Sequence, residues 1–184
     1  MNILRALVDL IVEEGPGTIS IPQVAARAEV SVRSVYHYFP TKEALFDGLT
    51  SSIRSLVATP DGPLPETFAS PRELTDALPA VYRYFEANRS MFRALAVSEL
   101  GGRVATSRQP ERHQRMDAAL EPLRERLDDE EYRKLRGVVG LLVSFDSFDA
   151  LTEIWGLSHD EGVDAAVWAV RCLTDRARRS GVGA

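Results

Sequence analysis

At 184 residues the chain is long enough for one large domain or two small ones with a real core, and its 45% hydrophobic and 27% charged residues are ordinary for a globular protein. No apolar run approaches the ~20 residues needed to span a bilayer, no secretory layout is visible around Asp9, Glu13 and Glu14, and a lone cysteine, Cys172, cannot make an internal disulfide. These features point to the reducing cytoplasm, and a net charge of -5 lacks the basic footprint usual in nucleic-acid binders.

Ile3, Leu4, Leu7, Val8 and Ile11 keep helical spacing until Gly15-Pro16-Gly17 ends the pattern. Ser20-x-x-Gln23 is a capping-box pattern that opens a second helix, in which Val24, Ala25 and Ala28 form a small apolar stripe. Pro22 is tolerable there because first-turn amides have no intrahelical partner. After the connector Ala28-Glu29-Val30-Ser31, a third helix capped by Ser31 places Val32, Val35, Tyr36 and Phe39 on one face. Arg33, Ser34, His37 and Tyr38 share the other. Thr41 caps a fourth helix carrying Leu45, Phe46, Leu49, Ile53 and Leu56. Two short helices joined by a tight turn, the second with a donor-rich outer face, describe a helix-turn-helix whose second helix suits a DNA major groove.

The run VSVRSVYHYFPTKEALF, residues 30–46, resembles the signature of the tetracycline-repressor (TetR) family of bacterial transcription regulators. In that signature a valine-serine turn leads to a recognition helix ending in Tyr-x-Tyr-Phe, and a Lys-Glu pair opens the next helix. Val30, Ser31, Tyr36, Tyr38, Phe39, Lys42, Glu43 and Leu45 all match. The resemblance implies an all-α protein with a helix-turn-helix DNA-binding domain over residues 1–50 and a helical ligand-binding and dimerisation domain over 51–184. It implies DNA contacts from Gln23, Arg27, Ser31, Arg33, Ser34, Tyr36, His37, Tyr38, Thr41 and Lys42. Arg33 can reach guanine O6 and N7 bidentately, and Lys42 beside a helix amino end suits a phosphate. Relatives commonly have glycine where this chain has Glu29, and a short basic arm ahead of the first helix. Residues 1–56 hold five cations against six anions, although Arg27, Arg33 and Lys42 cluster in the helix-turn-helix. An ordinary solvated helix face is the alternative for these side chains.

Residues 58–70 hold Pro60, Gly62, Pro63 and Pro65 and read as a loop; Ser70-Pro71 then starts a helix. That helix carries Leu74, Leu78, Val81, Tyr82 and Phe85, with a kink expected at Pro79. Ser90 is expected to cap a short segment with Met91, Phe92 and Leu95, and residues 101–110 to form a second loop. From Glu111 a polar helix carries Met116, Leu120, Leu123 and Leu127, with Pro122 bending or breaking it. Asp128 and Asp129 open a long helix that is apolar nearly all round between Val138 and Phe148, apart from Ser144, Asp146 and Ser147. Such a helix must be covered on more than one side. Ser158-x-x-Glu161, another capping box, starts the last helix, with Val163, Ala166, Val167, Val170 and Leu173 on one face and Ala165, Trp168 and Cys172 on another.

By resemblance the last two helices form a homodimer through a four-helix bundle, with Val163, Ala166, Val167, Val170 and Leu173 at the interface; the alternative is that both faces are monomer core. By resemblance too, a small-molecule effector would sit among Tyr82, Phe85, Met91, Phe92, Met116, Phe145, Phe148, Asp149 and Trp155, for which plain core is the competing reading. Asp146, Asp149 and Glu153 form a polar stripe that faces either such a pocket or else solvent or a dimer edge. His37, His113 and His159 are scattered without a metal-ligand pair, and Gly101-Gly102 lacks the residues of a phosphate loop, so no cofactor, metal or catalytic residue is expected. The sequence therefore reads as a homodimeric, ligand-responsive repressor that binds a palindromic operator. The alternative is a small-molecule binding protein of the same fold with weak DNA affinity.

Overall fold

In the computed structural model, residues 2–15, 17, 19–56, 60, 62–96, 102, 106 and 108–180 are described, and no strand occurs among them. They form α1 (Asn2–Glu14), α2 (Ile21–Arg27), α3 (Val32–Tyr38), α4 (Lys42–Leu56), α5 (Pro71–Ala87), α6 (Arg89–Ala96), α7 (Gln109–Leu120), α8 (Asp129–Leu142), α9 (Phe145–Asp149) and α10 (His159–Ser180). A 3-10 turn at Glu121–Arg126 follows α7, and a π-helical turn at Ala150–Ile154 follows α9. The protein is all-α. It divides into two compact units, one of Met1–Ala58 with Asn88–Gln109 and one of Thr59–Ala87 with Pro110–Ala184.

In the first unit α1 is a central support, packed against α2, α4 and α6. It buries Ile3, Leu7, Leu10 and Ile11, while Leu4 and Val8 are half-buried. Gly15, at φ 79°, stops the helix and donates its N–H to the Ile11 carbonyl at 3.1 Å. Pro16 lies outside the described residues. The Arg5 guanidinium donates to the Leu56 carbonyl at 3.0 Å, tying α1 to the carboxy end of α4. On α6, Met91 and Leu95 are buried. Its first-turn amide at Phe92 donates to the Asn88 carbonyl at 3.1 Å, so Asn88 holds the cap position expected of Ser90.

The second unit is built on α5 and α10, which pack along each other. Ser70 caps α5 by accepting the Glu73 N–H at 3.2 Å, and the Glu73 carboxylate accepts the Ala69 N–H at 2.9 Å. The helix passes Pro79 without ending and buries Leu74, Leu78, Tyr82 and Phe85. At the end of α7, Pro122 falls in the first turn of the 3-10 segment, so the break is there; Leu123 is buried below it. Asp128 and Glu131 close a capping box on α8. The long helix expected from Asp129 is not continuous. Ser144 accepts the Ser147 N–H at 3.3 Å and caps a separate α9, because its hydroxyl offers the chain an alternative to the helical ladder. Residues 58, 59, 61, 101, 103–105 and 107 of the two expected loops lie outside the described residues.

Candidate nucleic-acid interface

The local chemistry that builds the helix-turn-helix starts at Ser20. Its N–H donates to Gln23 Oε1 at 2.8 Å and its Oγ accepts the Gln23 N–H at 3.4 Å, the reciprocal box expected from the spacing. The other end of α2 is a Schellman turn. Val30 N–H donates to the Ala25 carbonyl at 3.0 Å and Glu29 N–H to the Ala26 carbonyl at 3.2 Å. This motif needs a left-handed residue after the cap, and Glu29 takes it with φ 55°. The chain therefore keeps the turn conformation that glycine usually supplies, at a cost of roughly 1 kcal/mol.

From that turn α3 emerges with seven residues, of which Val35 alone is buried. Ser31 Oγ accepts the Ser34 N–H at 3.0 Å, and the Ser31 and Ser34 hydroxyls pair with each other at 2.8 Å. Arg33, His37 and Tyr38 are exposed as expected, Tyr38 at 69%. The packing face is narrower than the periodicity implied. Val32 and Tyr36 are exposed at 39% and 49%, and Phe39 is half-buried, because a helix of two turns meets its support along one line. Phe39 seats against α4, where a Cβ on Gly48 would come within 2.6 Å of its ring. A helix-interior glycine thus lets α3 close on α4.

Thr41 Oγ1 accepts the Ala44 N–H at 3.0 Å and caps α4. Beside it the Lys42 ammonium lies 5.5 Å from the Phe46 ring centre, which places a cation next to the free amides of a helix start. Arg33 has no hydrogen-bond or ion-pair partner among the described residues. Arg27 and Gln23 are engaged. Arg27 forms a two-point pair with Glu13, Nη1 to Oε1 at 2.8 Å and Nη2 to Oε2, which holds the Glu13 carboxyl below its usual range. Gln23 Nε2 donates to Glu14 Oε2 at 2.9 Å. Neither acidic partner was read as part of this surface from the sequence.

The expected effector residues are divided between the two units. Tyr82, Phe85, Phe145 and Phe148 pack ring to ring with centroids 5.1 to 6.3 Å apart, and Met116 is buried in the same unit. Asp149 is half-buried at the end of α9. Met91 and Phe92 belong to the other unit, and Trp155, exposed at 74%, lines no interior space. A solvent-open cleft of about 360 Å³ between α7 and α8 is charged instead of apolar, lined by Asp117, Glu121, Arg124, Asp129, Tyr132, Arg133 and Arg136. Its arginines 124 and 136 are paired with Asp129 and Asp117, and none of the expected effector residues lines it.

The residues expected at a dimer face are largely covered within the chain itself. Val163, Ala166 and Val170 are buried inside the second unit, with Val167 and Leu173 half-buried, because α10 turns its smallest side chains toward α5 and α8 for a close approach. The large apolar side chains that the described part of this unit leaves in solvent are Trp168 at 69% on α10, Val138 and Leu141 on α8, and Ile154 and Trp155 at the π turn. Cys172 is exposed one turn beyond Trp168. Among the described residues no group of His, Cys, Asp and Glu is arranged to hold a metal, and no helix is long and apolar enough to cross a membrane.

No curated protein matches the sequence. The chain is similar in fold to a TetR-like transcriptional regulator from Rhodococcus sp. RHA1, with a TM-score of 0.65 at 18% identity over 97% of this chain and 94% of that one. It is also similar to NalD, the secondary repressor of the MexAB-OprM multidrug efflux pump in Pseudomonas aeruginosa, with a TM-score of 0.63 at 18% identity over 92% of each chain. Residues 3–49, the stretch from α1 to α4 that carries the capped turn and the displayed α3, match the family described as bacterial regulatory proteins, tetR family.

Proposed function

We propose that the chain is a TetR-family transcriptional regulator that reads a palindromic operator as a homodimer, through α3, and acts as a repressor released by a small molecule. The observation that carries the DNA contact is the economy of α3: a seven-residue helix, capped by Ser31 and anchored through Val35, presents Arg33, His37 and Tyr38 to solvent. A helix that buries one side chain contributes little to a core. Arg33, without a partner among the described residues, is assigned to base edges, Lys42 and Tyr38 to phosphates, and Ser31 and Thr41 to capping before any DNA contact.

The exposed Trp168, Val138, Leu141, Ile154 and Trp155 support a dimer formed by the outward sides of α8 and α10. Two copies of α3 about one duplex turn apart, ~34 Å, then read a palindrome. The aromatic cluster around Phe148 is the apolar body against which an effector would pack. Release requires that the effector favour a state with different operator spacing.

Selection from random duplexes, followed by salt titration of the winner, tests this reading. A palindromic winner with steep salt dependence is expected, and Arg33→Ala should weaken it by about 1–3 kcal/mol. A winner bound equally well by Arg33→Ala removes Arg33 from base reading. No enrichment at low salt favours a second reading, a dimeric small-molecule binding protein of this fold, which the excess of acidic residues over residues 1–56 and the Glu13 hold on Arg27 would explain.

A further inference from the structure

The last turn of α1 ends in two carboxylates, and both are spent on α2. Glu13 grips Arg27 with two parallel bonds, Nη1 to Oε1 at 2.8 Å and Nη2 to Oε2. Glu14 takes the amide of Gln23 at 2.9 Å, while the oxygen of that same amide is occupied by Ser20. Planar two-point binding of a guanidinium is also how phosphate is held. Arg27 is the one cation of α2, and Gln23 is a polar side chain of that helix expected at the DNA.

We propose that Glu13 acts as an intramolecular stand-in for a DNA phosphate, occupying Arg27 in the unbound protein and thereby setting a lower affinity for DNA. This rests on the DNA-binding reading above. The pair is exposed on both sides, with side-chain accessibilities of 37% and 51%, so it is weak enough to exchange. Arg27 reaches a phosphate only by leaving Glu13, and the released carboxylate then faces the duplex backbone. The pair lowers affinity on every sequence alike, since it touches no base-reading group.

The test is the full chain as wild type, Glu13→Gln, Arg27→Ala and the double variant, titrated against the selected duplex and an unrelated duplex over a salt series. Glu13→Gln should bind both duplexes roughly three- to tenfold more tightly, with a salt slope steeper by nearly one phosphate contact, about 0.9. Arg27→Ala should abolish the gain in the Glu13→Gln background. Unchanged affinity and slope in Glu13→Gln overturns the proposal while leaving the DNA reading intact. A gain that survives in the double variant also overturns it, because the effect is then one of general charge. Failure of all four proteins to bind at low salt overturns both.

Discussion

Glu29 offers a test in which the sign of a substitution reports a backbone angle. The residue sits at φ 55° after the cap of α2, with its N–H and that of Val30 both committed to the Schellman turn. A side chain in this region costs roughly 1–2 kcal/mol, and glycine removes that cost while giving back about 0.5–1 kcal/mol through the freer unfolded chain. Glu29→Gly should therefore stabilise by roughly 0.5–1 kcal/mol. Glu29→Ala loses the carboxylate equally but keeps the Cβ, so glycine should exceed alanine by about 1 kcal/mol. In a right-handed position the order reverses, alanine being better by a similar amount. Urea unfolding followed by far-ultraviolet circular dichroism reads this directly. With a slope near ~2 kcal/mol/M, the two midpoints should differ by about half a molar at unchanged slope. An alanine variant as stable as the glycine variant, or more so, would refute the left-handed assignment and the account of the turn built on it.

Burial pushes the Tyr82 hydroxyl up to about 12, and it donates to the Leu142 carbonyl at 2.9 Å. A raised value means stability present below pH ~10 and lost as pH climbs toward 12, worth about 2–3 kcal/mol, so Tyr82→Phe should be less alkali-sensitive than wild type. Tyr132, also pushed up to about 12, by burial and Asp117, titrates in the same window, so the difference between the two proteins is the readout; identical alkaline profiles would refute it. Trp168→Lys should raise the dimer dissociation constant by roughly 30-fold or more, about 2 kcal/mol, in equilibrium sedimentation. An unaltered constant would move the interface elsewhere. Both imidazole nitrogens of His159 are buried with no hydrogen-bond partner among the described residues, against the Phe148 ring at 5.9 Å. His159→Phe should raise the unfolding midpoint by a few degrees; a fall would mean that the nitrogens are bonded in solution.

How far the sequence carried depended on the range of the interaction involved. The Ser20 and Gln23 box, the Ser31 cap and the Thr41 cap each lie within one turn of chain, and all three form at the expected residues. Nearby residues decide such contacts, so spacing is nearly sufficient to read them. Ser144 and Asn88 show where this weakens. A serine inside an apolar run reads as helix interior until its hydroxyl takes the Ser147 amide, and Ser90 loses the cap position to an asparagine two residues earlier. The Glu13 and Glu14 contacts run between helices 9 and 14 residues apart in sequence. No local pattern announces them.

Sequence periodicity leaves open which apolar surface stays inside the chain. Periodicity marks Val163, Ala166, Val170 and Trp168 alike as side chains to be covered, without saying by what. Packing separates them. The small residues Ala166, Val170, Thr174 and Ala177 allow α10 to lie close on its own unit, so the broad ring of Trp168 is excluded to the opposite side. The same logic applies to α8, where Leu135 and Val139 turn in and Val138 and Leu141 turn out. A chain that needed these helices only for its own core would gain by placing polar residues at 138, 141 and 168. Their retention as large apolar groups on two neighbouring helices is the physical reason to look for a second copy of the chain there, about half a turn of α10 away from the apolar stripe that periodicity marks.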